Sequence, residues 1–97
     1  MTIQLDDQSL GEVREILARH VPQVKAWAFG SRATGRAKRF SDLDLVLEGD
    51  APLEGRVLAR LHHAFVESDL PIKVDVVDWH TLDPEFRALI DGQRVPL

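Results

Sequence analysis

Gln23-Val24-Lys25-Ala26-Trp27-Ala28-Phe29, then Gly30-Ser31, then after ten residues Asp42-Leu43-Asp44-Leu45-Val46-Leu47, form the framework around which the remaining elements are placed. Gln23 to Phe29 reads as a strand, with Val24, Ala26 and Ala28 on one face and Lys25, Trp27 and Phe29 on the other. The small alanines predict close packing against a helix. Gly30-Ser31 breaks the strand. Leu43 to Leu47 is a second, buried-looking strand. The segment between them is too short for a full helical crossover, so the two strands need not be parallel. A mixed sheet is expected.

Outward from this pair, the remaining elements follow from periodicity. Upstream, Leu10, Val13, Ile16, Leu17 and Val21 mark a helix, with Ser9 and Glu12 as its capping box and Pro22 ending it. Downstream, Gly49-Asp50-Ala51-Pro52 is turn chemistry. A second helix runs from about Leu53 to Val66 with Val57, Leu58, Leu61 and Phe65 inward. Ile72 to Val77 is a third strand, Trp79 to Thr81 a loop, and Pro84 to Ile90 a short last helix with Gly92 as its C-cap. The order is helix, strand, turn, strand, helix, strand, helix. The fold class is α/β or α+β, a small mixed β-sheet flanked by helices.

The chain has 97 residues, and one domain over 1–97 is expected, because domains usually run to roughly 100–150 residues. It has 12 Lys and Arg against 16 Asp and Glu, a net charge of −4. That balance disfavours a protein that coats nucleic acid. The absence of cysteine excludes a disulfide scaffold, a Cys-ligated zinc site and thiol catalysis, and it fits a reducing compartment such as the cytoplasm. No apolar run is long enough to span a bilayer, and Met1 to Asp7 lacks the basic and apolar regions of a signal peptide.

Three acids sit where apolar strands would not place them. Asp42 and Asp44 are two residues apart, so an extended strand puts both carboxylates on one face and Leu43 and Leu45 on the other. Asp75 interrupts Ile72-Lys73-Val74-Asp75-Val76-Val77. If the strands are neighbours, three carboxylates converge. Like charges so close need a cation, and magnesium favours a few carboxylates together with substrate phosphates. Two such ions can clamp the attacking and leaving oxygens of a displacement at phosphorus. Each acid also has a plain alternative, as a strand-start cap or a solvated sheet residue, and the case rests on the three together. Gly30 would let backbone approach a phosphate, the amides after it can form an anion nest, and the Ser31 hydroxyl adds a donor. Four cations, Arg32, Arg36, Lys38 and Arg39, follow with no acid between Gly30 and Asp42. A solvated surface loop is the other reading of that run.

Phe29-Gly30-Ser31-Arg32-Ala33-Thr34-Gly35 and Ser41-Asp42-Leu43-Asp44-Leu45 together resemble the signature of the DNA polymerase β-like nucleotidyltransferase superfamily, most of all its minimal nucleotidyltransferases. Many of those are paired with a HEPN-domain partner in toxin–antitoxin modules. The resemblance implies that Gly30 and Ser31 hold a nucleoside triphosphate, with Arg32 or Lys38 on its phosphates. It implies that Asp42 and Asp44 bind two metal ions, Mg2+, and that Asp75 binds the catalytic one and helps activate the nucleophile. The implied activity is transfer of AMP from ATP to a hydroxyl of a HEPN toxin, with this chain as antitoxin. The larger members carry added substrate-binding domains, and 97 residues leave no room for one, so the acceptor is expected to be a separate protein.

Two alternatives stand beside that reading: a non-catalytic antitoxin that masks its partner's active site, and nucleotidylation of a small molecule. The remaining polar residues are read as structural. His62 and His63 point about 100° apart on a helix and form no bidentate site. His80 lies near Asp75 or in a loop, and Trp27 and Trp79 are core or interface aromatics. Lys73 is a phosphate contact or a charge partner, and Glu85, Asp91 and Arg94 are solvated charges. Gly30-Ser31-Arg32 is not a nucleophile elbow, and no glycine triplet opens a long helix, so serine-hydrolase and Rossmann readings fail.

Overall fold

A computed structural model describes residues 3–97. Met1 and Thr2, the start of the stretch read for a leader, lie outside the described residues. The elements are α1 (Asp7–His20), β1 (Lys25–Phe29), α2 (Ser31–Thr34), β2 (Leu43–Glu48), α3 (Gly55–Val66), β3 (Val74–Asp78), a 3-10 turn (Trp79–Thr81), α4 (Pro84–Asp91) and β4 (Val95–Pro96). The strands form one mixed sheet in the order β3-β2-β1-β4. β1 pairs antiparallel with both β2 and β4, and β2 pairs parallel with β3. The expected mixed, α+β architecture is what the chain adopts.

Period-two alternation sorts the sheet's side chains. Leu43, Leu45 and Leu47 are wholly buried and pack with Ala28, Val74, Val13, Leu17, Leu61 and Phe65 in the larger core, on the face that α1 and α3 cover. The two alanines of β1 lie on this face, as their size predicted. The opposite face carries a smaller cluster of Phe29, Val46 and Ile90, joined by Trp27, Val77, Trp79 and Leu82, under α4. Phe86 of α4 meets Phe29 edge to face, with ring centroids 6.0 Å apart.

Three details differ from expectation. α1 starts before Ser9: Asp6 is the N-cap, and its carboxylate accepts from both the amide and the hydroxyl of Ser9. A fourth strand, β4, follows α4; two residues, one of them proline, leave no alternation to read. Arg94 is not a solvated charge. Its guanidinium lies 4.4 Å from the Trp27 ring centre and 5.0 Å from that of Trp79, and pairs with Glu48 and Asp91. It ties the exit of α4 to the sheet.

Large apolar side chains differ sharply in what they support: Leu61 is fully enclosed, while Phe40 is 71% exposed. Leu61→Ala should therefore cost about 2–5 kcal/mol of unfolding free energy in a urea titration. Phe40→Ala should stay within about 0.5 kcal/mol of wild type.

Candidate active site

The register places the acids. Asp44 stands beside Phe29 of β1 on one side and directly opposite Asp75 of β3 on the other. Asp42, two residues before Asp44 and just outside β2, is exposed. The three carboxylates therefore share the sheet end where β2 and β3 begin and β1 stops. By the alternation along β2, Asp44 and Val46 are on the α4 side of the sheet, opposite Leu43 and Leu45.

Their electrostatics are unbalanced. Partial burial, then the charges of Asp75 and Asp42, hold the Asp44 carboxyl above its ordinary value of 3.8, and Lys73 pulls it the other way. Lys73 lies 3.4 Å from Asp75 Oδ1, both partly in water, so it acts as the charge partner of Asp75. Among the described residues, no group of three His, Asp or Glu side chains is drawn together as an ion cage. The donors nevertheless suit a hard divalent cation. They are carboxylate oxygens at adjoining strand starts, and the mutual repulsion at Asp44 is what such a cation would relieve.

Glycine is favoured at position 30 for two reasons at once. It sits at φ +74°, where side chains are strained, and a Cβ on it would fall 2.6 Å from Asp44 Oδ2. The glycine and the acid of the motif are thus in contact across the β1–β2 pair. Gly30 also caps α2. Its amide is already taken, donating to Gln93 Oε1 at 3.0 Å. The donors left to a phosphate at this turn are the first amides of α2, at Ser31 and Arg32, which have no acceptor within the helix, and the Ser31 hydroxyl. Thr34 Oγ1 closes the turn by donating to the Gly30 carbonyl.

Arg32 departs from its expected place on the phosphates. It is 6% exposed, and its guanidinium donates to the carbonyls of Gln4, Lys38, Arg39 and Ser41. Those bonds take four of the guanidinium's five N–H donors and fold the loop 35–42 against the N-terminal segment. Lys38, Arg36 and Arg39 stay exposed. His80 is not at Asp75: its ring Nε2 is 2.7 Å from the Gly49 carbonyl. His62 and His63 are exposed.

Two polar residues of structural weight escaped the sequence reading. Asp78 is 2% exposed and accepts from the amides of Leu53 and His80, tying the approach to α3 to the end of β3. Gln93 is the other, and only its distance in sequence from Gly30 hid it.

Comparison with known proteins identifies the family of the chain and the fold it shares. The nucleotidyltransferase domain family matches residues 10–94. The chain is 44% identical over 88 residues to "Probable protein adenylyltransferase MntA" of Haemophilus influenzae, covering 91% of this chain and 77% of that one. Its fold matches a crystal structure of a toxin–antitoxin with AMP-PNP, at TM-score 0.76 and 22% identity over 95% of this chain and 72% of that one. It also matches the structure of a tri-AMPylated Shewanella oneidensis HEPN toxin in complex with MNT antitoxin, at TM-score 0.72 and 17% identity over 95% and 71% of the two chains.

The contact between Gly30 and Asp44 can be tested by substitution. Gly30→Ala should lose about 1–3 kcal/mol of stability, from the positive φ and the forced shift of Asp44. The raised Asp44 gives a second prediction. An acid whose folded pKa is raised stabilises the fold fully below its unfolded value, and that contribution is lost as pH rises through the folded value. At pH 7 the ionised Asp44 therefore works against folding, so Asp44→Asn should melt higher than wild type in EDTA. Added Mg2+ should raise the Tm of wild type but not of Asp44→Asn.

Proposed function

The chain belongs to the nucleotidyltransferase domain family, and from that membership we propose that it is a Mg2+-dependent protein adenylyltransferase whose acceptor is a HEPN-domain toxin, for which it serves as antitoxin. The family implies a nucleotide substrate and a divalent metal. ATP as that nucleotide, magnesium as the metal and two ions per site are the finer parts of the proposal. The observation that carries it is the Gly30–Asp44 contact beside Asp75, one turn of backbone donors set against facing carboxylates.

In the proposed reaction an acceptor hydroxyl oxygen bonds to the α-phosphorus of ATP. The bond from that phosphorus to the β-bridging oxygen breaks, and pyrophosphate leaves. The hydroxyl proton passes to Asp75, the acid on the outer strand of the pair. Asp42, Asp44 and Asp75 would hold the divalent cations, which offset charge on the triphosphate and on the leaving group. Ser31, with the amides at the start of α2, orients the phosphates, and exposed Lys38 can reach toward them. Arg32 serves by shaping the loop.

A protein acceptor fits the surroundings. The carboxylates lie at an open sheet end, and Asp75 keeps 38% of its side-chain surface exposed, so a projecting side chain can reach it. Such an acceptor matches what the MNT–HEPN structure is named for. The reading treats residues 1–97 as one minimal catalytic domain, supported by the family match over 10–94, and places it in the cytoplasm. Among the described residues, no helix is long and apolar enough to cross a membrane.

The decisive experiment mixes the chain with a HEPN-domain protein, ATP and Mg2+, and weighs the products. One or more adenylyl groups should appear on the HEPN protein and none without Mg2+. Asp42→Asn should cut the rate by at least about a hundredfold while the melting temperature holds. An inhibited but unmodified toxin would instead establish the masking antitoxin.

A further inference from the structure

The amide of Gly30 is bound by a residue 63 positions away, and the register of the sheet explains why. β4 pairs with β1 so that Pro96 faces Trp27 and Val95 faces Ala28. The Leu97 amide donates to the Ala26 carbonyl at 3.1 Å, so residues 26 and 97 form a hydrogen-bonded pair. In an antiparallel ladder such pairs recur at every second position. Counting from 26 and 97, the next are 28 with 95 and then 30 with 93. Gly30 and Gln93 are therefore where the next rung belongs.

The Gly30 amide bonds the side chain of Gln93 and not its main-chain carbonyl. At Gln93 the backbone is still leaving α4, and its amide donates to the Ile90 carbonyl at 2.9 Å. The Gln93 side chain supplies the rung, its amide oxygen standing where a strand carbonyl would be. The ladder is thus prolonged past the end of β1 to the one residue whose backbone angle and lack of Cβ admit Asp44.

We propose that Gln93 is a positioning residue for adenylyl transfer: its side-chain carbonyl is the last rung between β1 and the segment leaving α4, and it fixes the Gly30–Ser31 turn against Asp44. The proposal rests on the nucleotidyltransferase reading. What it adds is that the far end of the chain sets the phosphate-binding turn. Arg94, held between Trp27 and Trp79 and paired with Asp91, anchors the residue next to Gln93, so the rung has a rigid base. The chemistry required of the side chain is narrow. It must carry an acceptor oxygen at the reach of glutamine. Glutamate satisfies this, asparagine is one methylene short, and alanine has no acceptor.

The test compares Gln93→Ala, Gln93→Asn and Gln93→Glu in the full chain. Gly30 amide exchange is followed by NMR, and transfer to the HEPN partner is followed at saturating ATP and Mg2+. Protection of the Gly30 amide should fall about tenfold in the alanine and asparagine variants and persist in the glutamate variant. Transfer kcat should fall about tenfold in the first two, and stay within about threefold of wild type in the third. The glutamate variant should show a raised, salt-dependent KM for ATP from its added charge. A wild-type kcat for Gln93→Ala, or a Gln93→Glu as slow as Gln93→Ala, would overturn the proposal. A general packing role would not produce rescue by glutamate and failure by asparagine. If wild type itself modifies no partner, the functional reading fails separately, and the Gly30 exchange pattern still decides whether Gln93 sets the turn.

Discussion

Strand β2 has a strand on each side, and the leucines of one face are buried to zero exposure. A carboxylate within such a strand is stable only where one face meets water, and that restricts it to a strand end. Asp44 occupies that place, second in β2. Once it is there, the rest is constrained. A Cβ on the residue after β1 would force the Asp44 carboxylate to shift, and the positive φ there also favours glycine. The parallel partner strand presents Asp75 opposite it. The net repulsion then has to be met by Lys73 or by a bound cation. Site and fold are two consequences of one placement.

The loop between β1 and β2 shows how charge can be spent on architecture. It carries four cations, and the first of them, Arg32, is the most buried. A planar guanidinium has enough donors to satisfy several carbonyls at once, which an ammonium point charge cannot match. The loop thereby gains an internal centre without an apolar side chain. Its other cations, Arg36, Lys38 and Arg39, are left outward-facing beside exposed Asp42.

Much of this was legible in the sequence, and the misses have physical causes. The two faces of β1 and the inward stripe of α3 follow from periodicity, and the mixed sheet from the short connection between β1 and β2, because each involves neighbours along the chain. Ser9 and Glu12 matched a capping box, yet Asp6 was three residues nearer the start and took both donors of Ser9. The burial of Arg32, the stacking of Arg94 on two indoles and the reach of Gln93 are set by partners far away in sequence. No local pattern encodes them. β4 was invisible because pairing, not composition, makes it a strand.

That last strand has a wider effect. It is two residues long and ends the sheet with Pro96, which has no amide to offer a further strand. An open sheet edge invites endless addition of like strands and, in time, fibres. Here the border beside β1 is closed by a residue unable to continue it. The acidic end of the sheet and this proline-bearing edge are thus separate borders of one sheet.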